Sequence, residues 1–162
     1  MTLHLTTEER AFLAGDHGEA VSLAMRILVS AAELLGAQAL VRITSAHIDG
    51  CLHHGDGGVE FAEKLVATGG RVAVPTTLNV GALDLLHPDT VRADPSKLAM
   101  ARRQMDAYVS IGAEPTFTCA PYQVGHQPAF GEQVAWGESN AIAFANSVLG
   151  ARTERYGDFL DA

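Results

Sequence analysis

Val59-Glu60-Phe61-Ala62-Glu63-Lys64-Leu65-Val66-Ala67-Thr68-Gly69-Gly70-Arg71-Val72-Ala73-Val74-Pro75 decides how the fold is read. Residues 59–68 predict a helix closed by Gly69-Gly70, because glycine takes the left-handed conformation that ends a helix without steric cost. Residues 71–74 predict a short aliphatic strand that stops at Pro75, which has no N–H to give a ladder. The same alternation extends outward. Upstream, Thr6 with Glu9 three positions on has the form of a capping box, and Gly15 closes that first short helix. Residues 18–35 predict a second helix, with Val21, Met25, Leu28, Ala32 and Leu35 at helical spacing and Gly36 as its stop. Residues 39–43 predict a strand. Downstream, residues 96–111 predict a helix that starts near Asp94 or Pro95 and stops at Gly112. Residues 116–119 predict a third strand, and residues 141–149 a last helix before Gly150. The tail from residue 151 has no assignable pattern. Helix, strand, helix, strand, helix, strand implies an α/β fold with a mostly parallel sheet flanked by helices.

The 162 residues are enough for one domain with a sizeable core, and the net charge of −8 argues against a nucleic-acid partner, which would meet a basic face. No membrane span is expected, since the apolar stretch at residues 20–32 is interrupted by Ser22, Arg26 and Ser30. The opening MTLHLTTEER is polar and acidic rather than basic and then apolar, so the expectation is a cytoplasmic chain in which Cys51 and Cys119 are reduced thiols.

In a parallel sheet, loops leaving the carboxyl ends of the strands form the ligand crevice. Three loops take that place: residues 44–56, 76–84 and 119–131. The first packs His47, His53, His54, Asp49, Asp56 and Cys51 into twelve positions, a set able to hold a metal or move a proton, although its spacing matches no standard zinc motif. A polar loop that caps its own turns is the plain alternative. The second offers the hydroxyls of Thr76 and Thr77 and the amide of Asn79, which suit a carboxylate or hydroxyl ligand or an ordinary turn equally well. The third puts Cys119 at a strand end, where one thiolate can be part of a metal site but not the whole of it. Ahead of the last helix, Ser139 can serve as N-cap or present free N–H groups to an anion, and Glu138 can act as a base or be a solvated first-turn charge.

Four strings taken together resemble the aconitase X family: Ser45-Ala46-His47-Ile48-Asp49-Gly50-Cys51, Val74-Pro75-Thr76-Thr77-Leu78-Asn79-Val80-Gly81, Thr118-Cys119-Ala120-Pro121-Tyr122-Gln123 and Trp136-Gly137-Glu138-Ser139-Asn140-Ala141. The tail, from Asn146 through Asp161, resembles it too. The resemblance implies an aconitase-like domain and a lyase that removes water from a small hydroxy acid. It implies iron, as an iron–sulfur cluster or a single ion. It further implies that residues 1–162 are the amino-terminal part of a catalytic domain whose carboxyl-terminal part, with the other cluster cysteines, lies outside this chain. A small swivelling subunit or domain completes the site in that family.

By motif position the resemblance places Cys119 at a cluster ligand, and Gly50, Cys51, Leu52, Asn79 and Val80 at substrate contacts. Thr76, Ser139 and Asn140 join the expected substrate-binding set, and Ser45 and His54 are the expected proton-transfer residues. Leu52 stands where phosphomevalonate dehydratases resemble one another in carrying serine, and His53-His54-Gly55-Asp56 looks like the bacterial branch. The favoured substrate is therefore cis-3-hydroxy-L-proline, with 5-phosphomevalonate second. Two other readings stand beside it: a non-catalytic remnant or partner-binding subunit, and a zinc hydrolase built on the His-rich loop.

Overall fold

A computed structural model describes residues 2–49, 55–153 and 159–162. The helices start and stop where their end chemistry dictates. The Thr6 hydroxyl accepts the Glu9 N–H at 3.2 Å while the Glu9 carboxylate accepts the Thr6 N–H at 2.6 Å, and α1 (Thr7–Ala14) follows. Next comes α2 (Glu19–Leu34), then α3 (Asp56–Ala67) and α4 (Pro95–Ser110); at the start of α4 Asp94 accepts the Ser96 N–H at 2.8 Å. After α3 the chain turns at Gly69 and Gly70. The Gly70 N–H returns to the Leu65 carbonyl at 2.8 Å, and a β-carbon at Gly70 would sit 2.8 Å from that oxygen, so the turn requires glycine.

Among the described residues four short strands form one parallel sheet: β1 (Ala46–Ile48), β2 (Thr76–Leu78), β3 (Gln133–Trp136) and β4 (Arg152–Thr153), in the order β2-β1-β3-β4. A last helix, α5 (Ser139–Phe144), runs into a π-helical turn (Ala145–Leu149) before Gly150. Side chains alternate across a strand, so the sheet has two distinct faces. Ile48 and Leu78 pack with Ala62 of α3 and with Met105, Ala107 and Tyr108 of α4. Val134 and Trp136 pack with Ala141 of α5, Ala145 of the π-helical turn and Ala151. Helices on both sides of a parallel sheet are the layered α/β arrangement that the sequence predicts. No helix among the described residues is long and apolar enough to cross a membrane.

The strands themselves differ from the sequence expectation. Residues 39–43 lie outside the sheet, with an isolated bridge from Ala39 to His4, and Val41 is 66% exposed. In residues 71–74, Val72 donates to the Ile111 carbonyl and Ala73 to that of Ala162, so this segment docks on the end of α4 and the chain terminus. Pro75 does not end a strand; it precedes β2, and its carbonyl accepts the Ala46 N–H at 3.0 Å. Residues 116–119 are broken by Phe117, whose φ of 47° is left-handed and unusual for a bulky residue. The paired segments read as loops in the sequence because they carry Thr76, Thr77 and His47. A parallel strand buried on both faces is recognised by burial and pairing, which no local pattern records.

Candidate functional site

Register builds the site. His47 of β1 pairs with Thr77 of β2 and with Trp136 of β3, so these three side chains share one face. One side-chain period further on, the same register sets Asn79, Asp49 and Glu138 side by side, just past the three carboxyl ends. The contacts agree. The Asn79 Nδ2 donates to Asp49 Oδ1 at 2.8 Å and to Glu138 Oε2 at 2.9 Å, and Asn79 Oδ1 accepts the Val80 N–H at 2.7 Å. Asn79 is buried, and its Nδ2 bridges the two carboxyl groups.

The carboxyls are linked to each other as well. Burial raises the Glu138 pKa, but hydrogen bonds from the Asn79 amide and the Ser139 N–H, with one to Asp49 and one from the Ser139 hydroxyl, outweigh it and leave the carboxyl below its usual range. Asp49 and Glu138 thus lie side by side, bridged by the Asn79 amide. Glu138 also caps α5, where its Oε1 accepts the Ser139 N–H at 3.0 Å. The N-cap is thus Glu138, one residue before the Ser139 expected from sequence.

Cys119 is half-buried beside this row and free of any disulfide. Burial pushes its thiol up, the charges of Glu138 and Asp49 push it further, and a hydrogen bond with the Asn79 side chain acts in the opposite direction. Asn140 holds the segment in place, since its Nδ2 donates to the Cys119 carbonyl at 2.8 Å. Tyr122, on the turn after Cys119, stacks on Phe144 with ring centroids 3.8 Å apart.

Of the residues expected from sequence, the fold thus brings together Asn79, Val80, Cys119, Ser139 and Asn140. Ser139 and Asn140 spend their polar groups on Glu138 and on the Cys119 backbone. Ser45 and Thr76 sit at the amino ends of β1 and β2, away from the row; the Thr76 hydroxyl donates to the Val74 carbonyl at 2.8 Å, and the Ser45 carbonyl accepts the Ala135 N–H at 3.0 Å. Gly50, Cys51, Leu52 and His54 lie outside the described residues. The carboxyl pair itself was absent from the expected set. Asp49 was one polar residue among many in its loop and Glu138 an isolated acid; the available signal was that each follows a strand at the same register level as Asn79.

Among the described residues no group of three His, Cys, Asp or Glu side chains is arranged to hold a metal ion. The donor chemistry here, one thiol beside a carboxyl pair, fits part of an iron site and leaves the rest of the ligands to be supplied from elsewhere. A cation at Cys119 would oppose the burial and the neighbouring negative charges that raise its thiol pKa.

The family model described as "Aconitase X first domain" matches residues 2–162. Cis-3-hydroxy-L-proline dehydratase of Pseudomonas aeruginosa is 49% identical over 158 residues, covering 94% of this chain and 26% of that protein. The enzyme of the same name from Hypocrea jecorina is 46% identical over 162 residues, with coverage of 99% and 27%. The phosphomevalonate dehydratase large subunit of Thermococcus kodakarensis is 40% identical over 157 residues, with coverage of 96% and 38%. The crystal structure of Thermococcus kodakaraensis aconitase X in its holo-form superposes with a TM-score of 0.85 at 38% identity, covering 98% of this chain and 39% of that one. The chain spans about a quarter of the length of the hydroxyproline dehydratases and about two-fifths of the phosphomevalonate large subunit.

Proposed function

The chain belongs to the aconitase X family, and from that premise we propose that it forms one wall of the active site of a dehydratase acting on cis-3-hydroxy-L-proline. The observation that carries the reading is the Asp49–Asn79–Glu138 row beside Cys119 at the carboxyl end of the sheet. Dehydration breaks a C–H bond alpha to the carboxylate and a C–O bond next to it, and water leaves as the C=C bond forms. A base must take the proton, and the departing hydroxyl must be helped off. The Glu138 carboxyl, held below its usual range by its hydrogen bonds, is ionised and can accept that proton. Asn79 keeps the pair together, and Ser139 keeps Glu138 ionised and pointed. Iron, when bound, would supply the Lewis acidity that weakens the C–O bond. Cys119 is the residue of this chain that would hold it, with the remaining ligands and a small swivelling subunit or domain supplied from outside these residues.

Substrate contacts are assigned in the same reading to Gly50, Cys51, Leu52, Asn79 and Val80. Ser139 and Asn140 hold Glu138 and the Cys119 segment in place, Thr76 and Ser45 lie away from the row at the amino ends of their strands, and His54 remains the candidate for proton transfer. The higher identity to the two hydroxyproline dehydratases, and Leu52 in place of a hydroxyl side chain, favour hydroxyproline over 5-phosphomevalonate. The test is to combine the chain with the rest of the family's fold, supply iron and follow loss of cis-3-hydroxy-L-proline. Turnover of that substrate but not of 5-phosphomevalonate is the expected result. Iron bound without turnover of either would leave a partner-binding subunit. If Cys119→Ser keeps full iron content, the metal assignment is wrong.

A further inference from the structure

The row beneath the carboxyls holds a side chain with an unused function. His47 is buried on the same sheet face as Asp49, one side-chain period before it and between Thr77 and Trp136. Its Nδ1 lies 2.8 Å from Thr77 Oγ1, which fixes the ring. Its Nε2 is equally buried and has no hydrogen-bond partner among the described residues. A buried polar nitrogen left unmade costs about 1–3 kcal/mol, and folded proteins meet such atoms with internal water or with ligand. The surroundings belong to the site. Glu138 and His126 are both near enough to act on the charge of the ring. His126 is itself paired with Glu114 at 3.2 Å, so it is committed elsewhere. Burial keeps the imidazole neutral, so whichever tautomer Thr77 selects, Nε2 retains one hydrogen-bonding function.

We propose that His47 Nε2 is the docking point for a hydroxyl-type oxygen in this crevice, the hydroxyl of the substrate or the water that takes its place when substrate is absent. The substrate half rests on the dehydratase reading above; the water half does not. In a hydroxy acid undergoing dehydration the hydroxyl is the group that must be oriented, and a neutral nitrogen held by Thr77 can do that without adding charge beside the carboxyl pair.

The test is ¹⁵N NMR of the histidine rings in the 162-residue chain. The free chain is expected to show a contact between the His47 ring proton environment and a long-lived water. Addition of cis-3-hydroxy-L-proline is expected to move the Nε2 resonance, while L-proline, which lacks the hydroxyl, leaves it in place. A water contact with no response anywhere to cis-3-hydroxy-L-proline would confirm the docking point and count against the substrate reading. Resonances of Asp49 and Glu138 that move with ligand while Nε2 shows neither water nor shift would overturn the proposal and spare that reading. In the complete enzyme His47→Gln, which restores a polar atom near Nε2, is expected to keep about tenfold more kcat/KM than His47→Asn, which restores the atom facing Thr77, as one hydrogen bond warrants. The opposite order would reduce His47 to a structural tie.

Discussion

The two ends of the same three strands treat their polar groups in opposite ways. At the amino ends, the Thr76 hydroxyl and the Ser45 carbonyl are spent on backbone neighbours. At the carboxyl ends, Asp49, Asn79 and Glu138 are satisfied mainly by one another, and a thiol stands beside them. The contrast teaches that a polar side chain near a strand is informative only once its partner is known. Thr76 and Asn79 are three residues apart in one loop of the sequence, yet one opens a strand and the other bridges a pair of acids.

Glu138→Gln is expected to break the contrast most strongly, because it removes the ionised carboxylate while keeping size and an oxygen for the α5 cap. In the complete enzyme kcat should fall by about 10²–10⁴-fold, the range for loss of a general base or acid. An effect below about fivefold, measured by steady-state kinetics, would move the proton chemistry away from this end of the sheet. Trp136→Ala, in the row beneath, is expected to cost about 3–5 kcal/mol in denaturant unfolding, since Trp136 is fully buried in its cluster.

His47 gives the comparison a pH dependence. Its pKa is lowered to about 4, by burial above all, against an ordinary 6.5. The unfolded chain therefore takes up a proton on this residue before the folded one does, and stability falls as pH drops from 6.5 toward 4. The loss should total on the order of 3 kcal/mol, complete only below both values. Urea unfolding across that window, with and without His47→Gln, checks the sign: the variant should flatten the acid limb. Ser45→Ala carries the smallest expectation, under about twofold in kcat and within about 0.5 kcal/mol in stability, because the backbone carbonyl makes its one strand bond. A large loss in kcat at unchanged stability would show that the amino end joins the chemistry after all.

The helices were legible because their limits are local. Thr6 with Glu9, Gly15, Gly69-Gly70 and Asp94 act within a turn of where they stand, so residue type and spacing are enough. The strands were not. Residues 39–43 have strand composition but no cover, whereas β1 and β2 contain His47, Thr76 and Thr77 and are buried on both faces. Half of the site was legible for the same reason: Asn79, Cys119, Ser139 and Asn140 lie in strings that name a family. Asp49 and Glu138 were visible as acids, but their pairing spans 89 positions of sequence and exists only in the register of β1 and β3.

By itself the sequence determined the α/β alternation, the family and the stretches of chain that carry chemistry, because end caps, hydrophobic spacing and motif strings are properties of neighbouring residues. Only the tertiary structure decided which polar residues meet. Parallel pairing sets Asn79, Asp49 and Glu138 at one level and His47 one level below. A parallel register is fixed by long-range burial and hydrogen bonding, which the local order of residues does not contain.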